Sequence, residues 1–271
     1  MSSIVRTIIN ALPPSIGVPL DHWQQPLRHK PLRRHIRRQR ELLAKLGSPD
    51  RILYGPFKGL KYKHWAPTGV GIGNVLGAYE HELDESVEAA IALQPDLLVN
   101  IGSAEGYFTL GMAMRLPRTR VIGYDLLASA RFLLAKNAAL NAMSGRVEQR
   151  GRCDPPDLAR DLESTKRSLV VCDCEGFEDA LLDPASVPGI AGAIIIVEVH
   201  DAPGYAPGVA TRLLARFGST HTINTIHERP LGAADKPGDC KLSDEEFLEA
   251  VAGARGLPGL WYFMVPRGMV A

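Results

Sequence analysis

The segment 96–110 (DLLVNIGSAEGYFTL) constrains the fold more than any other part of the chain, because three local patterns follow one another in it. Leu97–Ile101 is an apolar run of strand length, a turn of small residues follows, and a helical pattern begins at Tyr107. A strand, turn and helix in this order are typical of doubly wound α/β domains with a parallel sheet. The G-x-x-x-G spacing of Gly102 and Gly106 is weak alone, since a chain with 26 glycines contains it elsewhere. Together, the three patterns predict an α/β fold.

A carboxylate about twenty residues further on indicates a nucleoside site. Val121–Tyr124 is the predicted second strand, and Asp125 stands at its carboxyl end. A carboxylate there can accept hydrogen bonds from both hydroxyls of a ribose; the alternative is that Asp125 caps the predicted helix 126–141. The turn lacks G-x-G-x-x-G, because Ser103 and Ala104 occupy its middle. This favours a nucleoside without a pyrophosphate, a description that S-adenosylmethionine (SAM) fits.

The remaining apolar runs continue the alternation of strands and helices. Further strands are predicted at 147–150, 168–173, 193–199, 220–226 and 260–265. Ligands of open α/β sheets bind outside the carboxyl ends of the strands. Five polar or small residues stand at or just past such ends: Asn100, Asp125, Cys153, Asp173 and His200. The sequence therefore predicts one ligand site along this edge.

Charge is distributed unevenly along the chain, although its net value is only +1. Residues 1–67 contain 13 Lys/Arg and 3 Asp/Glu, a balance of +10, which leaves −9 on the remainder. Much of the positive charge lies in the predicted helix 28–46, whose sparse apolar positions are predicted to dock it onto the body of the protein. The alternative is a basic surface for a nucleic acid or another acidic partner. The apolar positions of this helix are Leu32, Ile36, Leu43 and Leu46.

The rest of the N-terminal region is predicted as an irregular arm at 1–25, a hairpin at 51–63, a glycine loop at 69–73 and a helix at 79–93. Four cysteines without C-x-x-C spacing indicate free thiols in a reducing compartment. No apolar run approaches membrane-spanning length, and the start of the chain lacks the pattern of a signal peptide. We therefore predict no membrane span and a cytoplasmic location.

Four motifs carry a resemblance to a known family. They are NIGSAEGYFT, VIGYD, VVCDCEGFEDALL and IIIVEVHD, and they span residues 96–201. In this order they resemble the FkbM-like branch of SAM-dependent methyltransferases, and D-C-E-G-F-E followed by E-V-H is the specific part. The resemblance implies a class I methyltransferase (Rossmann-like) fold: a doubly wound, mostly parallel seven-stranded sheet in the order 3-2-1-4-5-7-6.

The resemblance also implies where SAM binds. The turn from Gly102 to Gly106, including Ser103 and Glu105, would face the methionine part of SAM. Asp125 would bind its ribose.

Three further cofactor contacts are expected, and one position departs from the family. By strand position Cys153 would lie beside the adenine, and Asp173 would also lie near the cofactor. Asn100 stands where the family usually has an aspartate. An amide can still form hydrogen bonds, but it does not offset the ammonium charge of SAM. Glu80 or Glu105 would then supply the negative charge.

The predicted catalytic residues are Asp173, Glu175 and His200. Methyl transfer from a sulfonium to oxygen or nitrogen requires alignment and the loss of one proton, which a neutral histidine or a carboxylate can accept. His200 could instead be structural. Two neighbouring carboxylates have simpler explanations, since Glu178 would cap the helix 177–182 and Glu198 would pair with a basic side chain.

A divalent ion such as Mg²⁺ is the alternative to a metal-free base at His200. Asp173 and Glu175 follow the fourth strand, and His200 and Asp201 follow the fifth. This placement resembles the oxygen-rich sites of metal-assisted O-methyltransferases, in which an ion binds acceptor oxygens.

The sequence thus divides into a basic accessory region, 1–77, with an N-terminal helix and hairpin, and a SAM-binding methyltransferase domain, 78–271. The expected acceptor is an oxygen, or a nitrogen, of a small molecule, glycan or peptide. A nucleic-acid methyltransferase that uses the basic helix is an alternative, although no N/D-P-P-Y type motif follows the fourth strand. A non-catalytic SAM-binding protein is another, and contact between two copies through the helix would give a homodimer.

Overall fold

The computed structural model describes residues 30–63, 71–163, 165–201, 207–252 and 259–269. The irregular arm predicted at 1–25 and Gly69 of the predicted glycine loop lie outside these residues. The chain divides into two compact units. The N-terminal unit comprises residues 1–79 and 230–256, and the sheet unit comprises 80–229 and 257–271.

The strands, all in the sheet unit, are β1 Leu97–Ile101, β2 Arg120–Tyr124, β3 Val147–Arg150, β4 Ser168–Cys172, β5 Ile194–Glu198, β6 His221–His227 and β7 Leu260–Pro266. The helices are α1 Lys30–Lys45, α2 Gly71–Leu76, α3 Asp84–Ala92, α4 Tyr107–Arg115, α5 Ala128–Leu140, α6 Pro155–Leu162, α7 Glu178–Leu181, α8 Val209–Phe217 and α9 Asp244–Val251. Short 3₁₀ helices occur at His81–Leu83, Pro188–Gly192 and Ala233–Asp235. No helix among the described residues is both long enough and apolar enough to cross a membrane.

The sheet unit is built on seven strands in the order β3-β2-β1-β4-β5-β7-β6. β1 to β5 pair in parallel, and β7 runs antiparallel to both of its neighbours. β1 and β4 lie in the middle and are buried along their whole length, as their unbroken apolar runs predict. This is the Rossmann-like sheet of class I methyltransferases, and the predicted fold class is confirmed.

The N-terminal unit has its own apolar core. Leu42 of α1 and Leu46, directly after that helix, pack with Ile72 of α2 and with Phe247 of α9. Ion pairs extend this contact, since Arg38 donates two hydrogen bonds of 2.8 and 2.9 Å to Oε2 of Glu249 and Lys45 pairs with Glu246. Of the predicted docking positions, Leu46 is buried, Leu43 is partly buried in this core, and the side chain of Leu32 is outside the described set. Leu42, absent from that prediction, is fully buried and is the most deeply buried of the helix residues whose side chains are described.

Three local predictions for the N-terminal region need correction. The segment 51–63 does not form a hairpin of two strands, because only one isolated bridge joins Arg51 to Lys61. The predicted glycine loop becomes helix α2 from Gly71 onwards, because Ile72, Val75 and Leu76 are buried there. The predicted helix 79–93 begins as a 3₁₀ turn.

The division into units also departs from the sequence-based boundary. Residues 230–256 cluster with the N-terminal unit, whereas the sequence led us to place them in the second domain. The functional division into an accessory region and a methyltransferase domain stays a prediction.

Candidate active site

The turn after β1 is held in an unusual backbone conformation. Gly102 and Gly106 have positive φ angles of 84° and 97°, and Ala104 between them has a φ of 45°. The backbone N–H groups of Gly102 and Ser103 both donate to the carbonyl of Tyr124, at 2.9 and 2.8 Å. The turn is therefore fixed against the end of β2, and α4 begins directly after it.

Asp125 ties the same turn to the next loop. Its Oδ2 accepts a hydrogen bond from the N–H of Ala104 at 2.9 Å, and its Oδ1 accepts one from Leu127 at 2.8 Å. Because a carboxylate offers about four acceptor positions, both oxygens retain capacity for a ribose diol. The helix that follows begins only at Ala128, with Leu127 as its N-cap. The predicted capping alternative is thus replaced by a loop contact of Asp125.

Two large apolar side chains lie exposed directly after Asp125. Leu126 is 70% exposed and Leu127 is 64% exposed, the two highest values among the exposed large hydrophobic residues. They follow the carboxyl end of β2, at the edge where ligands of open α/β sheets bind.

The other predicted cofactor residues lie in different environments. Asn100 is buried, and its Nδ2 donates a hydrogen bond to Oγ1 of Thr109 at 2.8 Å. The amide nitrogen is thus bonded to a residue of α4. Oγ of Ser103 is buried without a hydrogen-bond partner among the described residues. Glu105 is half-buried beside it in the turn. The hydroxyl of Ser103 is thus a buried polar group of the turn without a partner among the described residues.

Glu80 and Cys153 are both buried. Glu80 has a positive φ of 49°, and its charge adds to the effect of burial and of Asp84 in raising the pKa of Tyr107, the first residue of α4. The charge of Glu80 therefore acts on the first residue of the helix that follows the turn. Burial, reinforced by the charges of Asp161 and Asp157, raises the pKa of the Cys153 thiol to about 12, so it stays protonated.

Five residues at or past the carboxyl ends of β4 and β5 form one group, which we call the carboxylate–histidine cluster: Asp173, Glu175, Glu178, Glu198 and His200. The sheet register explains it. Cys172 pairs with Val197, so the next residues, Asp173 and Glu198, lie side by side. His200 follows Glu198 by two positions and returns to the same side of the extended chain.

Carboxylates surround the imidazole of His200. Nδ1 lies 2.8 Å from Oε1 of Glu178, whose side chain is 0% exposed. Nε2 lies 3.5 Å from Oε2 of Glu175, 3.8 Å from Oε2 of Glu198 and 3.9 Å from Oδ1 of Asp173. One side of the ring is thus hydrogen-bonded and the other faces three carboxylate oxygens.

This arrangement shifts the pKa values of the cluster. The hydrogen bond to Glu178, against the opposing effect of burial, raises the pKa of His200 to about 9. Burial and then the neighbouring Glu198 raise the pKa of Asp173 to about 8. Burial alone would raise the pKa of Glu178, but the hydrogen bonds from His200 and from the N–H of Gly176 bring it below the ordinary value. Near neutral pH His200 is an imidazolium, which does not accept a proton as the predicted neutral base would.

Glu178 and Glu198 were given structural explanations from the sequence. Oε1 of Glu178 accepts from the N–H groups of Gly176 and Cys174, at 3.0 and 3.4 Å, in addition to its contact with His200. The E-x-H spacing of Glu198 and His200 was a readable signal. The burial of Glu178 had no signal in the sequence, because an acidic residue in the first turn of a helix is ordinarily exposed.

Three members of the cluster have the composition of a metal site. Asp173, Glu175 and His200 offer ligand atoms that all lie within 4.8 Å of one another. Asp201, also considered for such a site, accepts hydrogen bonds from Gly208 and Ala210 at 2.8 and 3.1 Å and thereby holds the start of α8.

No family model and no curated protein matches the chain. Among solved structures it is similar to the O-methyltransferase TomG from Streptomyces achromogenes, involved in tomaymycin synthesis and in complex with SAM, with 18% identity, coverage of 70% of this chain and 81% of that chain, and a TM-score of 0.45. A second similar structure, cofactor-bound Rv0187 from MTB, has 14% identity, coverage of 94% of this chain and 98% of that chain, and a TM-score of 0.47. A third, precorrin-6y C5,15-methyltransferase from Geobacter metallireducens GS-15, has 10% identity, coverage of 69% of this chain and 87% of that chain, and a TM-score of 0.44. At these values the fold assignment rests on the observed sheet order.

Proposed function

We propose that the protein is a SAM-dependent methyltransferase of the FkbM-like branch that acts on an oxygen of a small molecule, glycan or peptide. One observation carries the proposal: the turn after β1 adjoins both Asp125 and the carboxylate–histidine cluster. The N–H of Asp173 donates to the carbonyl of Ile101 at 2.9 Å, and that of Ala104 donates to Asp125. A nucleoside bound at Asp125 and a methyl acceptor at the cluster would therefore be neighbours.

SAM would bind along the carboxyl edge of the sheet. Its ribose diol would donate to Asp125, and its adenine would pack on exposed Leu126, beside Cys153. Its methionine part would lie over the turn, where buried Oγ of Ser103 is available as a partner. In this proposal Glu105 and Glu80 offset the ammonium charge, since Asn100 is turned to α4.

The acceptor would bind at the carboxylate–histidine cluster. A bond forms between its oxygen and the methyl carbon while the carbon–sulfur bond of SAM breaks, which leaves S-adenosylhomocysteine. The hydroxyl proton passes to the carboxylate of Glu175, because His200 and Asp173, with pKa values of about 9 and about 8, already hold a proton near neutral pH. Glu178 keeps the imidazole in place, and the imidazolium can donate a hydrogen bond to the acceptor. A divalent ion at Asp173, Glu175 and His200 would be the metal-assisted form of the same reaction.

A nucleic-acid acceptor is the second candidate, because Arg34, Arg37 and Arg40 are exposed on successive turns of α1. Nitrogen acceptors and a homodimer remain compatible with the same proposal. The unpaired state of all four cysteines supports a reducing, cytoplasmic setting.

Methyl transfer from tritiated SAM tests the proposal. The full chain is incubated with small-molecule, glycan and peptide fractions and, separately, with total RNA. We expect label in a non-nucleic-acid fraction, and Glu175→Gln should lower it about 10²–10⁴-fold, the usual contribution of a group that exchanges protons with the substrate. Exposed Glu163→Gln is the control. Label in RNA alone would favour the second candidate, and no label in any fraction would contradict catalysis.

A further inference from the structure

The carboxylate–histidine cluster combines a nitrogen ligand with oxygen ligands around a single point. Oε2 of Glu175, Oε2 of Glu198 and Oδ1 of Asp173 lie 3.5, 3.8 and 3.9 Å from Nε2 of His200. Oδ1 of Asp173 is buried and has no hydrogen-bond partner among the described residues. Buried polar atoms in proteins ordinarily have a hydrogen-bond or metal partner. The described side chains supply none to this oxygen, so a bound ion is a candidate partner for it.

The distances have the size expected for ligands of a common ion. Separations of 3.5–3.9 Å exceed a hydrogen bond, which for N–H···O ends near about 3.2 Å. Two ligand atoms with bonds of about 2.1 Å to one ion lie about 3.0 Å apart at right angles and about 4.2 Å apart in opposite positions. The three separations fall inside this interval.

The imidazole is also oriented as metal-binding histidines are. Such a histidine ordinarily donates its second ring N–H to a carboxylate or carbonyl, which fixes the ring and makes its free nitrogen a better ligand. Glu178 has this position, 2.8 Å from Nδ1, and is wholly buried. Its second oxygen, Oε2, forms no hydrogen bond with any described residue. The observation is independent of the three carboxylates that face Nε2.

The ligand types select the kind of ion. Mg²⁺ prefers oxygen ligands and retains several waters, whereas an imidazole nitrogen suits first-row transition ions. Carboxylates beside one imidazole suit an ion of intermediate character, of which Mn²⁺ is the representative.

We infer that Asp173, Glu175 and His200 bind one divalent first-row transition ion of the Mn²⁺ type, with Glu198 adjacent and Glu178 as the positioning residue of His200. This deepens the proposed function and rests on it for its purpose. An ion here would replace the proton on Nε2 of His200, because a histidine ligand must be deprotonated at the nitrogen that binds the metal. It would act as a Lewis acid on the acceptor oxygen and lower the pKa of its hydroxyl.

Mn²⁺ binding to the full chain tests the inference without any methyl acceptor. Chelator-stripped protein is titrated with MnCl₂ while the electron paramagnetic resonance signal of free Mn²⁺ is followed. We expect one bound Mn²⁺ per chain and, in its spectrum, coupling of the Mn²⁺ electron spin to the nitrogen of one histidine. Mg²⁺ should displace the bound Mn²⁺ only at concentrations at least about tenfold higher than that of Mn²⁺, in line with the ligand preference.

Three variants assign the site. Glu175→Gln and His200→Gln should each reduce Mn²⁺ affinity at least about tenfold, and His200→Gln should remove the nitrogen coupling. Glu178→Gln keeps an acceptor for Nδ1 and should reduce affinity about 10–100-fold, as loss of an orienting partner does. Exposed His227→Gln is the matched control and should bind as wild type does.

The side chain of Glu175 is 79% exposed, so its variant should fold even if a change at His200 does not. The inference is overturned if Mn²⁺ does not bind, if it binds equally to Glu175→Gln, or if wild type shows no nitrogen coupling. Equal affinity for Mg²⁺ would overturn the choice of ion. SAM binding is measured separately in chelator, so a failed metal site and a failed methyltransferase proposal give different results.

Discussion

The carbonyl oxygen of Asp173 lies in the space that a side chain on Gly102 would need. Gly102 also has a φ of 84°, which side chains disfavour. The turn that follows β1 and the loop that follows β4 therefore touch through their backbones. In our account the first of these binds the cofactor and the second carries the acceptor site, so this contact sets the distance between the two reactants.

A side chain at Gly102 should disturb both loops. We expect Gly102→Ala to lower the free energy of unfolding by more than about 2 kcal/mol, because a strained φ adds to a clash with backbone that is itself hydrogen-bonded. Chemical denaturation measures this. Gly151→Ala is the control at the same edge, since no atom of the described residues lies within 4 Å of its added Cβ, and it should change stability little. Equal stability of the two variants would show that the loops do not touch as described.

The apolar core of the N-terminal unit should depend on α1. Leu42 is fully buried there, so Leu42→Ala should cost about 2–5 kcal/mol of unfolding free energy. Leu248→Ala on α9 is the control, because Leu248 is 37% exposed and should cost less. Urea denaturation followed by circular dichroism compares the two. A smaller loss at Leu42 than at Leu248 would contradict the docking of α1.

Asp84 should make stability depend on pH. Burial, and then the charges of Glu82 and Glu88, raise its pKa to about 7. Tyr107 faces it as well, and Arg115 pairs with Glu88. The folded state therefore holds the proton of Asp84 more tightly than the unfolded state, where an aspartate titrates near about 3.9. This contribution to stability is complete below about pH 4 and is lost as pH rises to about 7.

Melting temperatures across pH check this prediction. Asp84→Asn removes the charge, so it should melt above wild type at pH 8, with the difference vanishing towards pH 4. Glu85→Gln changes the exposed neighbour in the same helical turn and should show no such trend. A difference for Asp84→Asn that is constant with pH would reject the assignment.

The sheet was predictable because its central strands are mostly apolar runs bounded by polar or small residues. Each strand lies within one or two residues of its predicted position, and the strand order followed from the resemblance. α2 was not predictable: its two glycines oppose a helix, and only burial of Ile72, Val75 and Leu76 outweighs that preference. Local propensity fails where contacts distant in sequence decide the structure.

The candidate site shows the same division. That Asp173 and His200 meet follows from their places after adjacent parallel strands, and the sequence predicted both as site residues. The role of Glu178 was not readable, because its helical position fits a simple cap and its burial depends on His200, which follows 22 positions later. Likewise, Asn100 could be identified as a departure, but its bond to Thr109 required the packed helix.

Calorimetric titration of the full chain with SAM tests the central claim most directly. We predict one SAM per chain, and an affinity at least about tenfold lower in Asp125→Ala, because hydrogen bonds to a charged group contribute about 1.5–3 kcal/mol each. Glu163→Ala, exposed and remote in sequence from the turn and from Asp125, should bind SAM as wild type does. Absence of SAM binding to the folded wild-type chain, or equal affinity in wild type and Asp125→Ala, would contradict the account.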